Sequence, residues 1–181
     1  MKIKSLLARP YASYISGQVR KGLHTALDDQ ERTLRDLLRI GKGTEFGQEH
    51  RLGEVRNAEE FAQAIPVRDY EQFRPWIDRI KEGKHNILWK GQPIYFAKTS
   101  GTTSGVKYIP ISRESIHNHI DSARNALLCY IHESGNNAFT DGRMIFLSGS
   151  PELERVGGIP TGRLSGIVNH HIPSYLRTNQ L

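Results

Sequence analysis

Nine consecutive residues, Thr99-Ser-Gly-Thr-Thr-Ser-Gly-Val-Lys107, carry the most legible chemistry in this chain. They bring hydroxyl side chains, two glycines and a lysine into one turn-length segment. Apolar, strand-forming residues flank it, with Ile94, Tyr95 and Phe96 before and Tyr108, Ile109 and Ile111 after. Glycine lets a backbone approach a bound group closely and reach positive φ. Successive backbone N–H groups in such a turn form a concave nest for an anion. Hydroxyls add donors, and lysine adds a mobile positive charge. Phosphate is the ligand that uses all of these together. A Gly/Ser/Thr-rich hairpin loop without a ligand has the same composition, and composition alone leaves both readings open.

Two common phosphate motifs are excluded. A Walker A loop needs G-x-x-x-x-G-K followed by Ser or Thr. Here Gly101 and Gly105 are too close, Val106 precedes Lys107, and Tyr108 stands where the hydroxyl residue belongs. No G-x-G-x-x-G fingerprint of a dinucleotide fold occurs either.

The segment, with Tyr108, Ile109 and Pro110 behind it, resembles the signature loop of adenylate-forming enzymes. More narrowly, it resembles that of the bacterial branch of the GH3 auxin-responsive promoter family of acyl-acid amido synthetases. Other matches follow in order along the chain. They are Thr44-Glu-Phe-Gly47, Val67-Arg-Asp-Tyr70 with Pro75 and Ile77, Leu88-Trp89 before Gly91 and Pro93, and Tyr95-Phe-Ala-Lys-Thr-Ser-Gly101. Phe146-Leu-Ser-Gly-Ser150 and Gly162-Arg-Leu-Ser-Gly166 are similar to the pattern as well. The resemblance runs from about residue 30 to residue 181.

That resemblance implies ATP-dependent activation of a small carboxylic acid, followed by transfer to an amine or amino acid. Thr99, Ser100, Gly101, Thr102, Thr103, Ser104, Gly105 and Lys107 would hold the nucleotide phosphates, and Lys107 would be the catalytic cation. ATP and Mg²⁺ are the implied cofactors, with no metal ligand assigned in this chain. The family's chains run to several hundred residues, and its later motifs for adenine, ribose and metal have no counterpart here. Residues 1–181 are therefore expected to be the N-terminal fragment of a larger adenylate-forming domain, inactive without the rest of the polypeptide. The alternatives are an acyl-CoA ligase-type adenylating enzyme, which shares such a loop, and a nonenzymatic phosphate-binding remnant.

The composition narrows the partners. A formal charge of +6 arises from 25 Lys and Arg against 19 Asp and Glu. Basic and acidic residues alternate closely, as in Arg51 with Glu54, Arg68 with Asp69 and Lys81 with Glu82. Such mixing reads as a solvated surface, with no nucleic-acid stripe. A single cysteine, Cys129, rules out an internal disulfide framework, and its apolar helical setting suggests a buried, inert thiol. No Cys/His set has metal-site spacing. No apolar run approaches the 18 residues of a membrane helix, and the basic start has too short an apolar stretch for a secretory signal. A cytoplasmic protein without a membrane partner is the expectation.

The elements that must position the loop follow from periodicity. Residues 13–40 read as one long helix with Val19, Leu23, Leu27, Leu34, Leu37 and Leu38 on its apolar side, ended by Gly41 and Gly43. Asn57 with Glu60, and Asp69 with Gln72, are capping pairs for two shorter helices that pack on a sheet away from substrate. Phe61, Ala62 and Ile65 would face inward on the first. Phe73, Trp76, Ile77 and Ile80 would do so on the second, where Pro75 is awkward. Residues 93–111 read as strand, loop, strand. Ser112 then caps a helix to about residue 134, with Ile116, Ile120, Leu127, Cys129 and Ile131 inward and Gly135 at its end. Residues 143–148 read as an inner strand, and the glycines at 157, 158, 162 and 166 as a flexible tail. The order specifies an α/β fold, a partial adenylate-forming N-terminal domain with helices flanking an incomplete β-sheet. Leucines left without a partner surface would favour self-association.

Overall fold

The computed structural model describes residues 3–99, 105–142, 145 and 148–172. Among these, a four-stranded mixed sheet lies between helices. Its strands are β1 (Tyr95–Lys98), β2 (Tyr108–Ile111), β3 (Glu154–Val156) and β4 (Ile159–Gly162), in the order β2-β1-β4-β3. The pairs β1–β2 and β3–β4 are antiparallel hairpins. The central pair β1–β4 is parallel, with Phe96 opposite Thr161 and Ala97 opposite Gly162.

Alternation along β1 assigns the two faces of the sheet. Phe96 is fully buried among Trp76, Ile77 and Ile80 of α5 (Tyr70–Lys81), together with Ile87 and Ile159. On the other face Ala97 meets Ile111, Ile116 of α6 (Arg113–Ser134) and Ile167 of α7 (Leu164–Asn169). Burying one apolar stripe from each helix against opposite sheet faces makes the expected α/β layering.

The capping expectations hold, with one shift. Asp69 and Gln72 form a reciprocal capping box at the start of α5. Ser112 caps α6 and exchanges bonds with Ser115, and Gly135 ends that helix at φ 66°. Asn57 accepts the Glu60 N–H at the start of α4 (Ala58–Ala64), but the Glu60 carboxylate accepts from Arg56 N, one residue before the cap. Pro75 lies within α5 on its exposed side, where water reaches a carbonyl that has lost its partner.

The N-terminal helix differs from expectation. It is two helices, α1 (Ile3–His24) and α2 (Ala26–Gly41), interrupted at Thr25, whose hydroxyl donates to Asp29. The buried side of α1 is made of small residues, Ser5, Ala8, Ala12 and Ser16, with Ile15. They let the helix approach Leu128 and Ile131 of α6 closely. Leu23 and Leu27, expected to face inward, are 73% and 77% exposed because the break takes them off any shared stripe. Of the six apolar positions named for this region, only Leu38 is buried.

Similar one-residue rotations occur elsewhere. In α6, Leu128 is buried and Leu127 is exposed, while Cys129 is half-buried. No residue of α4 is buried, and Phe61 and Ala62 face solvent. The segment expected as a glycine-rich tail is β3, β4 and α7. Gly157 and Gly158, at φ 58° and 79°, make the two-residue turn between Val156 and Ile159. Positive φ at both central positions is what a type I′ hairpin turn requires. Of the strand expected over 143–148, residues 143, 144, 146 and 147 lie outside the described residues.

Between α2 and the sheet, Thr44 caps α3 (Glu45–Glu49). Its buried hydroxyl donates to Gly41 O and accepts from Gly47 N. Gly47 packs on the Gly41 carbonyl so closely that any Cβ would overlap it. The N–H groups of Glu45 and Phe46 bond to the carbonyls of Asn86 and Ile87. The Thr44–Gly47 motif is thus a backbone junction beneath α5.

Candidate functional site

β1 and β2 present the loop as a hairpin in fixed register, Lys98 opposite Tyr108. The last bond before the loop runs from Thr99 N to Lys107 O at 3.1 Å, so the two ends of the nine-residue segment are tied together. Gly105 takes φ 79°, with open space where a Cβ would stand, so glycine is required there by backbone conformation alone. Thr99, Gly105 and Val106 are exposed, and Lys107 is half-buried. Ser100, Gly101, Thr102, Thr103 and Ser104 lie outside the described residues.

Three lysines surround the root of the loop. Lys98 pairs with Glu154 of β3 at 2.7 Å. Lys81, at the end of α5, pairs with Asp78 and lies 4.4 Å from the centre of the Tyr108 ring. Lys107 Nζ lies 5.7 Å from the ring centre of Tyr70, the first residue of α5. The Tyr70 hydroxyl accepts the Tyr108 N–H at 2.7 Å. Besides packing on the sheet as expected, the N-terminus of α5 reaches the loop root through Tyr70. Tyr70 was legible as part of a motif, but nothing in local spacing announces that its phenol crosses to β2.

The loop leaves the carboxyl end of β1, beside the carboxyl end of its parallel neighbour β4. In α/β sheets this is the side where ligands bind. Two other segments converge there. The N–H of Gly149 donates to Ser165 Oγ at 2.9 Å, and Asn169 Nδ2 donates to Ser148 Oγ at 2.7 Å. A Cβ on Gly166 would overlap the Ser150 carbonyl, and one on Gly149 would press on the Arg163 side chain at 2.9 Å. Glycine at these positions allows the Ser148–Ser150 segment to lie directly on α7. On the face of β1 that carries Tyr95, His171 Nε2 is 3.2 Å from the Tyr95 hydroxyl. Burial, then the nearby His170 and His117, hold the His171 imidazole below the ordinary histidine range.

A second polar cluster lies behind α5. His50 stacks on Phe46 at 4.2 Å, its Nδ1 donates to Phe46 O, and its Nε2 accepts from Arg68. These partners specify the tautomer and use both ring nitrogens, so the cluster is structural. Two cavities, of about 500 and 330 Å³, are lined by residues 49–64 and by residues of α2, α5, α6 and the 87–93 segment. Among the described residues, neither is lined by the loop. Among the described residues no group of three or more His, Cys, Asp or Glu is arranged to hold a metal ion. The described part of the site is a glycine-bearing hairpin root that carries Lys107, with the ion-paired Lys81 and Lys98 beside it.

The fold is a mixed α/β domain with helices flanking an incomplete sheet. The GH3 family N-terminal domain matches residues 17–180, and the chain belongs to the GH3 family. It is 26% identical to a jasmonoyl–L-amino acid synthetase of Nicotiana attenuata over 136 residues, covering 74% of this chain and 23% of that one. It is 35% identical over 109 residues to an indole-3-acetic acid-amido synthetase of Arabidopsis thaliana, covering 59% and 18%. The solved structure of GH3.15 acyl acid amido synthetase superposes with a TM-score of 0.68 at 22% identity, over 82% of this chain and 27% of that one. The chain spans about a quarter or less of the length of these relatives. No helix among the described residues is long and apolar enough to cross a membrane.

Proposed function

We propose that this domain supplies the phosphate-holding part of an ATP-dependent acyl-acid amido synthetase. The observation that carries the reading is the register-locked hairpin, with Thr99 N bonded to Lys107 O, at the carboxyl end of the parallel pair. The relatives are named as a jasmonoyl–L-amino acid synthetase and as acid-amido synthetases, and amide formation on an activated acid is assigned here.

In the first step a substrate carboxylate oxygen bonds to the α-phosphorus of ATP, and the bond to pyrophosphate breaks. Negative charge gathers on the departing oxygens. Preorganised N–H groups and cations stabilise such charge because they need no reorganisation when it forms. Thr99 to Gly105 wrap the phosphates in this reading, and Lys107 offsets the developing charge. In the second step an amine nitrogen attacks the activated carbonyl and AMP leaves. Mg²⁺ would accompany the nucleotide and offset charge on its phosphate oxygens, and no ligand for it is assigned in this chain. The acceptor side is placed outside this chain as well, in a cytoplasmic protein whose partners are the small acid and the amine.

ATP–pyrophosphate exchange by the full-length polypeptide, with a panel of carboxylic acids, tests the first step. Acid-dependent exchange supports the reading. Phosphate binding without exchange would make the domain a nonenzymatic anion binder. Product analysis with CoA and amino acids then separates a thioester from an amide.

A further inference from the structure

The Val67-Arg-Asp-Tyr70 segment has no part in the function proposed above, yet its last residue touches the root of the loop twice. The Tyr70 hydroxyl takes the N–H of Tyr108, and the Tyr70 ring lies 5.7 Å from the Lys107 ammonium. β2 is an edge strand, so an N–H on its outer side has no further strand to meet. The phenol takes that place. The negative face of the ring attracts a cation within about 6 Å. Tyr70 is itself held in place, because it directly follows Asp69 in the capping box with Gln72.

The neighbouring cations are engaged differently. Lys98 and Lys81 are paired with carboxylates. Arg74 lies 6.0 Å from the Tyr70 ring but is bound to Glu71. Among the described residues, no carboxylate lies within ion-pair distance of Lys107. A carboxylate partner would compete with an incoming phosphate. An aromatic ring restricts the side chain without cancelling its charge.

We infer that Tyr70 is a positioning residue for Lys107, holding its side chain at the loop root in the pose that meets an anionic ligand. The inference rests on the reading of residues 99–107 as a phosphate site. Its test uses the 181-residue chain, inorganic pyrophosphate as probe, and the variants Tyr70→Phe, Tyr70→Leu and Lys107→Ala. In NMR spectra, ring current should move the Lys107 ε-methylene protons upfield. Tyr70→Phe should keep that shift, and Tyr70→Leu should abolish it. Calorimetry should show Tyr70→Leu weakening pyrophosphate binding by roughly two- to fivefold, with no added loss in a Lys107→Ala background.

An equal loss in both backgrounds would overturn the inference, because Tyr70 would then act independently of Lys107. Absence of the upfield shift in the unsubstituted chain would also overturn it, whether or not Tyr70→Leu folds. Pyrophosphate binding unchanged by Lys107→Ala would overturn the phosphate-site reading instead, while the shift still reports on the contact.

Discussion

A Cβ on Gly157 would overlap the carbonyl of Lys81, so the β3–β4 turn meets the end of α5 backbone to backbone. Gly157 also has φ 58°. Its neighbour Gly158 has φ 79° but open space around it. Gly158→Ala should therefore cost only the backbone strain, about 1–2 kcal/mol. Gly157→Ala adds a clash with a main-chain atom and should cost about 2–5 kcal/mol. Urea unfolding midpoints compare them, and equal midpoints would show that the turn does not bear on the helix.

The two cap hydroxyl and amide side chains at Thr44 and Asn57 should differ in the same way. Thr44 is buried and uses its hydroxyl both as donor and acceptor, whereas Asn57 is exposed. Thr44→Val keeps the shape, and Gly41 O keeps its bond from Thr44 N, but Gly47 N is stranded away from water, at about 1–3 kcal/mol. Asn57→Ala leaves its orphan N–H to solvent, at about 1 kcal/mol. Thermal unfolding should rank Thr44→Val as the more damaging of the two.

For the proposed chemistry, Lys107→Ala in the full-length enzyme should slow adenylation more than it weakens acid binding. One lost charge-assisted contact in a preorganised site costs about 2–4 kcal/mol, or roughly 30- to 1000-fold in rate. Ser100→Ala should cost less, since neighbouring N–H donors remain. Pre-steady-state pyrophosphate formation is the measurement, because release can limit turnover. An unchanged rate in folded Lys107→Ala would remove the lysine from the transition state. Lost ATP binding with an unchanged single-turnover rate would leave it as a ground-state anchor.

His171 makes stability depend on pH. Burial, with His170 and His117 adding to it, lowers its folded value from the ordinary 6.5. The unfolded chain therefore takes up this proton at higher pH than the folded one does. The stability linked to His171 is fully present above about 6.5 and declines as pH falls from there through the lowered folded value. His171→Gln should lose less stability than the unsubstituted chain between about pH 7.5 and about pH 5. Parallel slopes of unfolding midpoint against pH would contradict this assignment.

Leu23 and Leu27 flank the break between α1 and α2 and are largely exposed. The isolated chain should self-associate through such apolar surface. Sedimentation velocity should show mass rising with concentration, and Leu23→Glu with Leu27→Lys should suppress it. A monodisperse unsubstituted monomer over the same range would count against the prediction.

Local chemistry alone determined much of this protein. The capping boxes at Asp69 and Ser112, the αL glycine at 135 and the strand–loop–strand over 93–111 each depend on residues a few positions apart, so they are legible in sequence. The loop composition and its ordered companion motifs pointed to the family for the same reason. Other features needed the third dimension. Whether Leu127 or Leu128 turns inward depends on where α1 lies, and α1 packs through serines and alanines that no hydrophobic stripe would nominate. The Gly157-Gly158 pair is a turn signal, but pairing of β4 with β1 joins residues more than sixty positions apart. Only that long-range pairing brings Arg163, Ser165 and Gly166 to the carboxyl end of β1. Likewise, the packing of α5 across the hairpin places Tyr70 beneath Lys107, a contact that spacing cannot encode.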